Sequence, residues 1–394
     1  MPRFEPFAGL RYAPGVPLHQ VIAPPYDVVG EEQRAELAAR HPANAIHVEL
    51  PVDDPVSGID RYTGAARLLA RWEETGVLVA DPAATLTVLR MREPDGTRTT
   101  GVLGALGCEP DGGDVLPHEQ TIPKDTTDRL DLLRACRANL SPIWGLSLTA
   151  GLGARLEPDA APDAEAVDDD GVLHQAWVVA DPDRIDAIAE AVASSPVVIA
   201  DGHHRYHTAL AYRDERRAAG AGPGPWDLVL ALVVELAPGA VAVGAIHRTI
   251  HGLPPDVDLP TLLGRAFELR PAGPAGEAEV AAAAEAGLLA ATDGERLWLL
   301  TPRPEAVAEA DSDLDASLVA LAVASVPGVT TSHHHHWRSA LAEVARHDAD
   351  AAVVLRPVRV EQIAGWAHRR RRMPPKSTFF HPKPRTGLVF RPLR

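Results

Sequence analysis

The chain has 394 residues and a mass of 41.9 kDa, enough for two or three domains at ~100–200 residues each, or for one large decorated one. Hydrophobic residues at 46% and charged residues at 23% are those of an ordinary globular protein and exclude a disordered or fibrous chain. A formal net charge of -16 with a pI near 5.5 excludes indiscriminate binding to nucleic acid or to an acidic membrane, so any anionic ligand must meet a local site.

No apolar run reaches the length of a membrane span, and the segment Met1–Gly15 lacks the basic start and apolar middle of a signal peptide. The expectation is a cytoplasmic protein with no membrane or nucleic-acid partner. Two cysteines, Cys108 and Cys136, make neither a disulfide framework nor a cysteine-rich zinc site and read as reduced core residues. Lys124, Lys376 and Lys383 are the only lysines among 38 basic residues. This arginine bias weakens any argument from an arginine cluster and singles out each lysine.

In chain order, a Pro-rich extended segment spans Val21–Val29, and a short helix is predicted over Glu31–Arg40. Tyr62, Ala65, Ala66, Leu69 and Trp72 recur at helical spacing within Ile59–Thr75, and Gly76 stops that helix. Alternation over Thr85–Arg92 and Thr99–Leu106 around Pro94-Asp95-Gly96 predicts a hairpin. A polar segment, Glu109–Asp131, leads into a helix through Leu132 and Leu133, and the acidic stretch 158–171 reads as a surface loop. Then come a helix over Ile185–Ser195, a strand over Pro196–Ala200, a helix over Tyr206–Arg217, and strands over Leu228–Glu235 and Val241–Ala245. Beyond a Pro- and Gly-rich stretch from Gly252 to Gly276 that holds one helix, Leu259–Phe267, strands are predicted at Arg296–Leu300 and Ala351–Leu355. The expected organisation is an α/β domain over residues 1–251 and a smaller α/β subdomain over 252–394, whose last strand returns to the core.

The motif richest in chemistry is Val197-Val-Ile-Ala-Asp-Gly-His-His-Arg-Tyr206. An apolar strand ends at Ala200, Gly202 permits a tight turn, and a helix starts after it. A helix start offers unpaired amides and the positive end of a dipole, so the loop suits a phosphate. Arg205 supplies a two-donor clamp, His203 and His204 supply donors, and Asp201 can hold Mg2+ or orient a hydroxyl. A capped helix with surface histidines is the plain alternative.

Four segments carry a family resemblance: Ala23-Pro-Pro-Tyr-Asp-Val28, His118-Glu-Gln-Thr121 with Asp128-Arg129, Ala200-Asp-Gly-His-His-Arg-Tyr206, and Met373-Pro-Pro-Lys-Ser-Thr-Phe-Phe380. In this order they resemble the DUF1015 family. The Asp-Gly-His-His-Arg box is similar to the phosphate-binding box of the ParB/sulfiredoxin superfamily, and most of all to that of its free-serine kinases. The resemblance implies a mixed α/β fold with a ParB/sulfiredoxin-like core elaborated at both ends. His203 stands where sulfiredoxin carries its cysteine nucleophile, which argues against sulfinic acid repair. The basic DNA-reading helices of ParB are not apparent.

The loop Leu116–Arg129 gathers His118, Glu119, Lys124, Asp125, Asp128 and Arg129. By resemblance to the serine kinases, which activate the acceptor hydroxyl with an upstream glutamate, Glu119 is the candidate base; a solvated, salt-bridged loop is the alternative. In the basic stretch Arg369–Lys383, Lys376 and Ser377 are the candidate ligand-binding residues, and the arginine run reads as a helix end complementing its dipole. In Pro24-Pro25-Tyr26-Asp27, a rigid turn and a pocket wall bearing Asp27 are equally supported. His333–His336 reads as a polar turn before a helix, since adjacent histidines do not all face one pocket. A metal alternative uses His203, His204 and His207 with Asp201 or His118.

The function expected from these features is a nucleotide-dependent small-molecule kinase acting on free serine or a similar hydroxyl compound. ATP or ADP would serve as donor with Mg2+ held at Asp201, and Gly202, His203, His204 and Arg205 would bind phosphate. A metal-dependent phosphohydrolase and a non-catalytic nucleotide sensor are the alternatives.

Overall fold

The computed structural model describes residues 1–110, 112–119 and 127–394, so Lys124 and Asp125 of the predicted loop lie outside the described residues. The chain is mixed α/β and divides into two compact units, Met1–Ala242 with Pro382–Arg394, and Val243–His381.

In the first unit the described residues form a nine-stranded sheet. Its strands are β1 (Phe4–Glu5), β2 (Leu86–Arg92), β3 (Arg98–Gly107), β4 (Val115–Pro117), β5 (Ile143–Ser147), β6 (Ala164–Val167), β7 (Leu173–Val179), β8 (Val197–Asp201) and β9 (Leu228–Glu235). They run in the order β4-β8-β5-β9-β3-β2-β7-β6, with β1 added to β3. The β2–β3 hairpin forms as its alternation predicts, with Val88 opposite Val102. Two pairs are parallel, β4 with β8 and β5 with β9. The first of these brings the carboxyl ends of β4 and β8 to the same edge, where chain leaving parallel strands commonly builds a ligand crevice.

Helices cover the sheet, and their starts obey simple capping chemistry. Helix α1 (Arg61–Glu74) begins where the Asp60 carboxylate accepts from the amides of Tyr62 and Thr63 at 3.0 Å. Helix α2 spans Thr127–Cys136. Helix α3 (Pro182–Ala193) has Pro182 in its first turn and is capped by Asp181, which accepts from the Arg184 amide at 2.8 Å. Helix α4 (His203–Ala218) follows the left-handed Gly202 and starts three residues before the predicted Tyr206. Val197 and Ile199 of β8, Ile185 and Ile188 of α3, and Tyr206 and Ala209 of α4 share one core with Val229 and Val233 of β9. A second core joins Leu69 and Trp72 of α1 to Leu132 of α2, Ile46 and Phe390. Cys108 is buried, and burial pushes its thiol up to about 12, as it does that of Cys136.

Pro382–Arg394 belongs to the first unit. Ala23 and Thr386 exchange backbone hydrogen bonds of 3.0 and 2.8 Å, and Arg391 pairs with Asn139. The segment 158–171, expected as a loop, contains β6, because Ala166 is buried against His174 in register with β7.

The second unit has its own six-stranded antiparallel sheet, ordered Phe267–Pro274, Arg296–Pro302, Ala290–Thr292, Ala351–Val354, His247–His251, Thr330–His334. Its core contains Leu262, Leu263, Phe267, Trp298, Leu318 and Val319. The division falls at Val243 rather than after His251, because the strand His247–His251 pairs with Ala351–Val354 and Thr330–His334 of this unit. The histidine run is not wholly a turn: His333 and His334 end a strand, and the next helix starts at Trp337.

Candidate functional site

Asp201 is the last residue of β8, and Gly202 turns the chain into α4 with φ +85°. A Cβ there would sit 3.1 Å from the Ile143 backbone and 3.2 Å from the Arg205 guanidinium carbon, so both conformation and space demand glycine. The turn aims the first-turn amides of a 16-residue helix, and the positive end of its dipole, at the space beyond β8.

Four charged side chains line up at this turn with alternating sign. Lys383 Nζ donates to Asp201 Oδ1 at 2.9 Å and to Asp27 Oδ2 at 3.1 Å, while Arg205 Nη2 donates to Asp201 Oδ2 at 2.8 Å. The other arm of Arg205 donates to the Pro142 carbonyl. Asp27 is placed by the short 3-10 turn Tyr26–Val28 that follows the two prolines, and the Ala23–Thr386 bridge holds Lys383 beside it. Burial alone would raise the Asp201 carboxyl, but the Lys383 ammonium and the Arg205 guanidinium outweigh it and hold the group below the usual carboxylate range. Burial likewise opposes the charge on Lys383 and Arg205, and Asp201 with Asp27 reverses that, so both cations are held above their ordinary values.

Beside this chain of charges, His118 and Glu119 continue from the end of β4. The Ile199 carbonyl only accepts, so His118 Nδ1 carries a proton and donates to it at 2.7 Å. His203 Nε2 lies 3.3 Å from the same Nδ1, and Glu119 Oε2 lies 3.5 Å from His118 Nε2. His203 is buried, and burial together with the surrounding histidines pushes its imidazole well below the ordinary value, so it is neutral.

The first unit therefore gathers Glu119, His118, Asp201, Gly202, His203 and Arg205 around one turn, with His204 on the first turn of α4. Lys376 and Ser377 lie in the second unit, where the Lys376 carbonyl accepts from Arg248 at 2.8 Å and the Ser377 hydroxyl donates to the Pro374 carbonyl at 2.7 Å. Within the first unit, the lysine placed at the turn is Lys383. Its signal in the sequence was scarcity, one of three lysines, together with its place at the end of the basic stretch.

Asp201 does not fit the role of a direct Mg2+ ligand, since each of its oxygens already faces a cation. Among the described residues, no group of three His, Cys, Asp or Glu side chains is placed to share a metal ion, including His203, His204 and His207. No helix among them is long and apolar enough to cross a membrane.

Fold and site together define a mixed α/β protein with an Asp, Lys, Arg and His cluster at the start of one helix. The family model of the DUF1015 proteins, described as proteins of unknown function, matches residues 4–319, and the chain belongs to that family. No curated protein matches the sequence. Solved structures similar to it include a free serine kinase in complex with AMP, at 15% identity and TM-score 0.35, covering 68% of this chain and 84% of that one. Another is a conserved hypothetical protein from Pyrococcus furiosus, at 14% identity and TM-score 0.33, covering 68% and 87%. A third is SbnI with C-terminal truncation from Staphylococcus aureus, at 13% identity and TM-score 0.36, covering 71% and 82%.

Proposed function

We propose that this protein is a nucleotide-dependent phosphotransferase that moves a phosphoryl group from ATP or ADP to the hydroxyl of a small molecule, with free serine as the leading acceptor. The observation that carries the reading is the pairing of β4 with β8. Two parallel strands end side by side, so His118 with the carboxylate base Glu119 stands next to the helix start at His203, where Asp201 and Arg205 meet Lys383.

In this reading the first-turn amides of α4, His204 and the remaining N–H of Lys383 hold the nucleotide phosphates. Asp201 orients Lys383 and Arg205 and keeps both charged. Glu119 takes the proton of the acceptor hydroxyl as the new O–P bond forms, and the old P–O bond breaks toward the departing nucleotide. His118, fixed by the Ile199 carbonyl, sets the position of Glu119. Positioning and charge neutralisation supply most of the acceleration, as is usual for phosphoryl transfer. Asp201, facing a cation on each oxygen, acts here through Lys383 and Arg205 and not as a metal ligand.

Titration calorimetry with ATP and ADP tests the division of roles. Glu119→Gln is expected to bind nucleotide within about twofold of wild type and to lose transfer, whereas Lys383→Met loses roughly tenfold or more in nucleotide affinity. Equal loss of binding in both variants would contradict it.

A further inference from the structure

A cavity of about 60 Å³ within the first unit has Arg205 in its lining. One wall is apolar, from Leu132, Leu133 and Leu140; the rest is polar and includes Glu49, Ser141, Thr208, Arg129 and Arg205. Two features mark it as built for a ligand. Glu49 is 2% exposed, yet among the described residues its carboxylate has one hydrogen-bond partner, the Ser141 hydroxyl at 2.8 Å on Oε1, and no ion pair. A carboxylate taken out of water needs a counter-charge or several donors; one hydroxyl is neither, and the Arg205 guanidinium acts on it only from beyond ion-pair distance. Thr208, 4% exposed, also lines the cavity, and its buried hydroxyl has no hydrogen-bond partner.

Two arginines also line the cavity. Arg129 stacks over the Tyr26 ring at 4.4 Å and donates to the Glu49 backbone carbonyl at 2.6 Å, while Arg205 faces the cavity with donors beyond the two that Pro142 and Asp201 use. A buried carboxylate with one donor, guanidinium groups with donors to spare and a partly apolar lining match a small molecule that carries an ammonium group, as amino acids and amino alcohols do.

We infer that this cavity is the acceptor subsite and that Glu49 holds the ammonium of a small hydroxylated amine or amino acid. The assignment of acceptor rests on the phosphotransferase reading; the ammonium site stands on Glu49 and Thr208 alone. The test is calorimetric titration of the full chain with L-serine, ethanolamine and glycerate, the last replacing the ammonium by a hydroxyl. Serine and ethanolamine bind, glycerate binds roughly tenfold more weakly or worse, and Glu49→Gln weakens serine by a similar factor with ATP affinity unchanged. Glycerate binding as tightly as serine, Glu49→Gln binding serine like wild type, or no binding of either amine would overturn the inference. Should Glu49→Gln fail to fold, Thr208→Val, which keeps the shape and removes the hydroxyl, is expected to weaken serine several-fold; an unchanged affinity would count against the site. Serine bound through Glu49 without phosphate transfer would overturn the phosphotransferase reading and leave the ammonium site standing. Transfer only to acceptors without an ammonium group would do the reverse.

Discussion

Lys383 places its ammonium 2.9 Å from Asp201, a residue 182 positions earlier in the chain. The contact fastens the carboxy-terminal segment to the turn between β8 and α4, and it converts Asp201 from a free carboxylate into the centre of a line of four charges. Because the groups are largely out of water, each depends on its neighbours, and removing one leaves the next uncompensated.

Lys383→Met therefore strips Asp27 and Asp201 of their shared cation. Breaking a buried pair from one side costs about 3–5 kcal/mol. Urea denaturation is expected to show a loss in that range, and a loss below about 1 kcal/mol would show that solvent screens the pair.

Arg205→Lys is expected to behave nearly as badly as Arg205→Ala. The guanidinium spans two acceptors at once, the Asp201 carboxylate and the Pro142 carbonyl, and a single ammonium does not reproduce that fork. Urea denaturation checks this, and wild-type stability in Arg205→Lys would contradict it.

Gly202→Ala adds a methyl in a left-handed conformation and 3.1 Å from the Ile143 backbone. The expected cost is about 1–3 kcal/mol in stability, with nucleotide affinity lost as the first turn of α4 shifts. Denaturation and titration of the same variant separate the two effects.

Acid should destabilise the protein through its buried neutral histidines. Burial, reinforced by Arg248, pushes His247 down to about 4, and its Nδ1 accepts from the Leu355 amide at 3.1 Å, a bond that protonation breaks. A folded value below the unfolded one means that the unfolded chain binds the proton first. The stability from His247 is thus complete above about pH 6.5 and is lost as pH falls toward about 4, by roughly 2–4 kcal/mol. His203 contributes in the same direction. Thermal unfolding between pH 7.5 and 4.5 should show the decline, and His247→Asn should flatten it.

Much of this architecture was legible in local sequence. The hairpin around Pro94-Asp95-Gly96, the helix over Arg61–Glu74 and the strand Leu228–Glu235 follow from short-range periodicity and turn residues. The turn at Asp201 and Gly202 was legible too, since an apolar strand, a glycine and a helix start are adjacent in sequence. Hidden were the relationships that depend on long-range return of the chain. Nothing local sets Lys383 beside Asp201; the Ala23–Thr386 bridge does, through backbone hydrogen bonds that carry no side-chain signature. Glu49 was missed for a similar reason. On a short helix, Ile46–Glu49, it reads as a surface acid, and only packing beside Ser141 and the cavity buries it.

Phosphorus NMR reads phosphoryl transfer at the start of α4 without any coupling enzyme. The protein is mixed with Mg2+, ATP, ADP and a pool of small hydroxyl compounds that includes serine. A new phosphomonoester resonance that requires one acceptor, and that disappears in Glu119→Gln while nucleotide still binds, is the predicted result. Free phosphate released without any acceptor requirement, or nucleotide that binds and stays intact, would contradict the account.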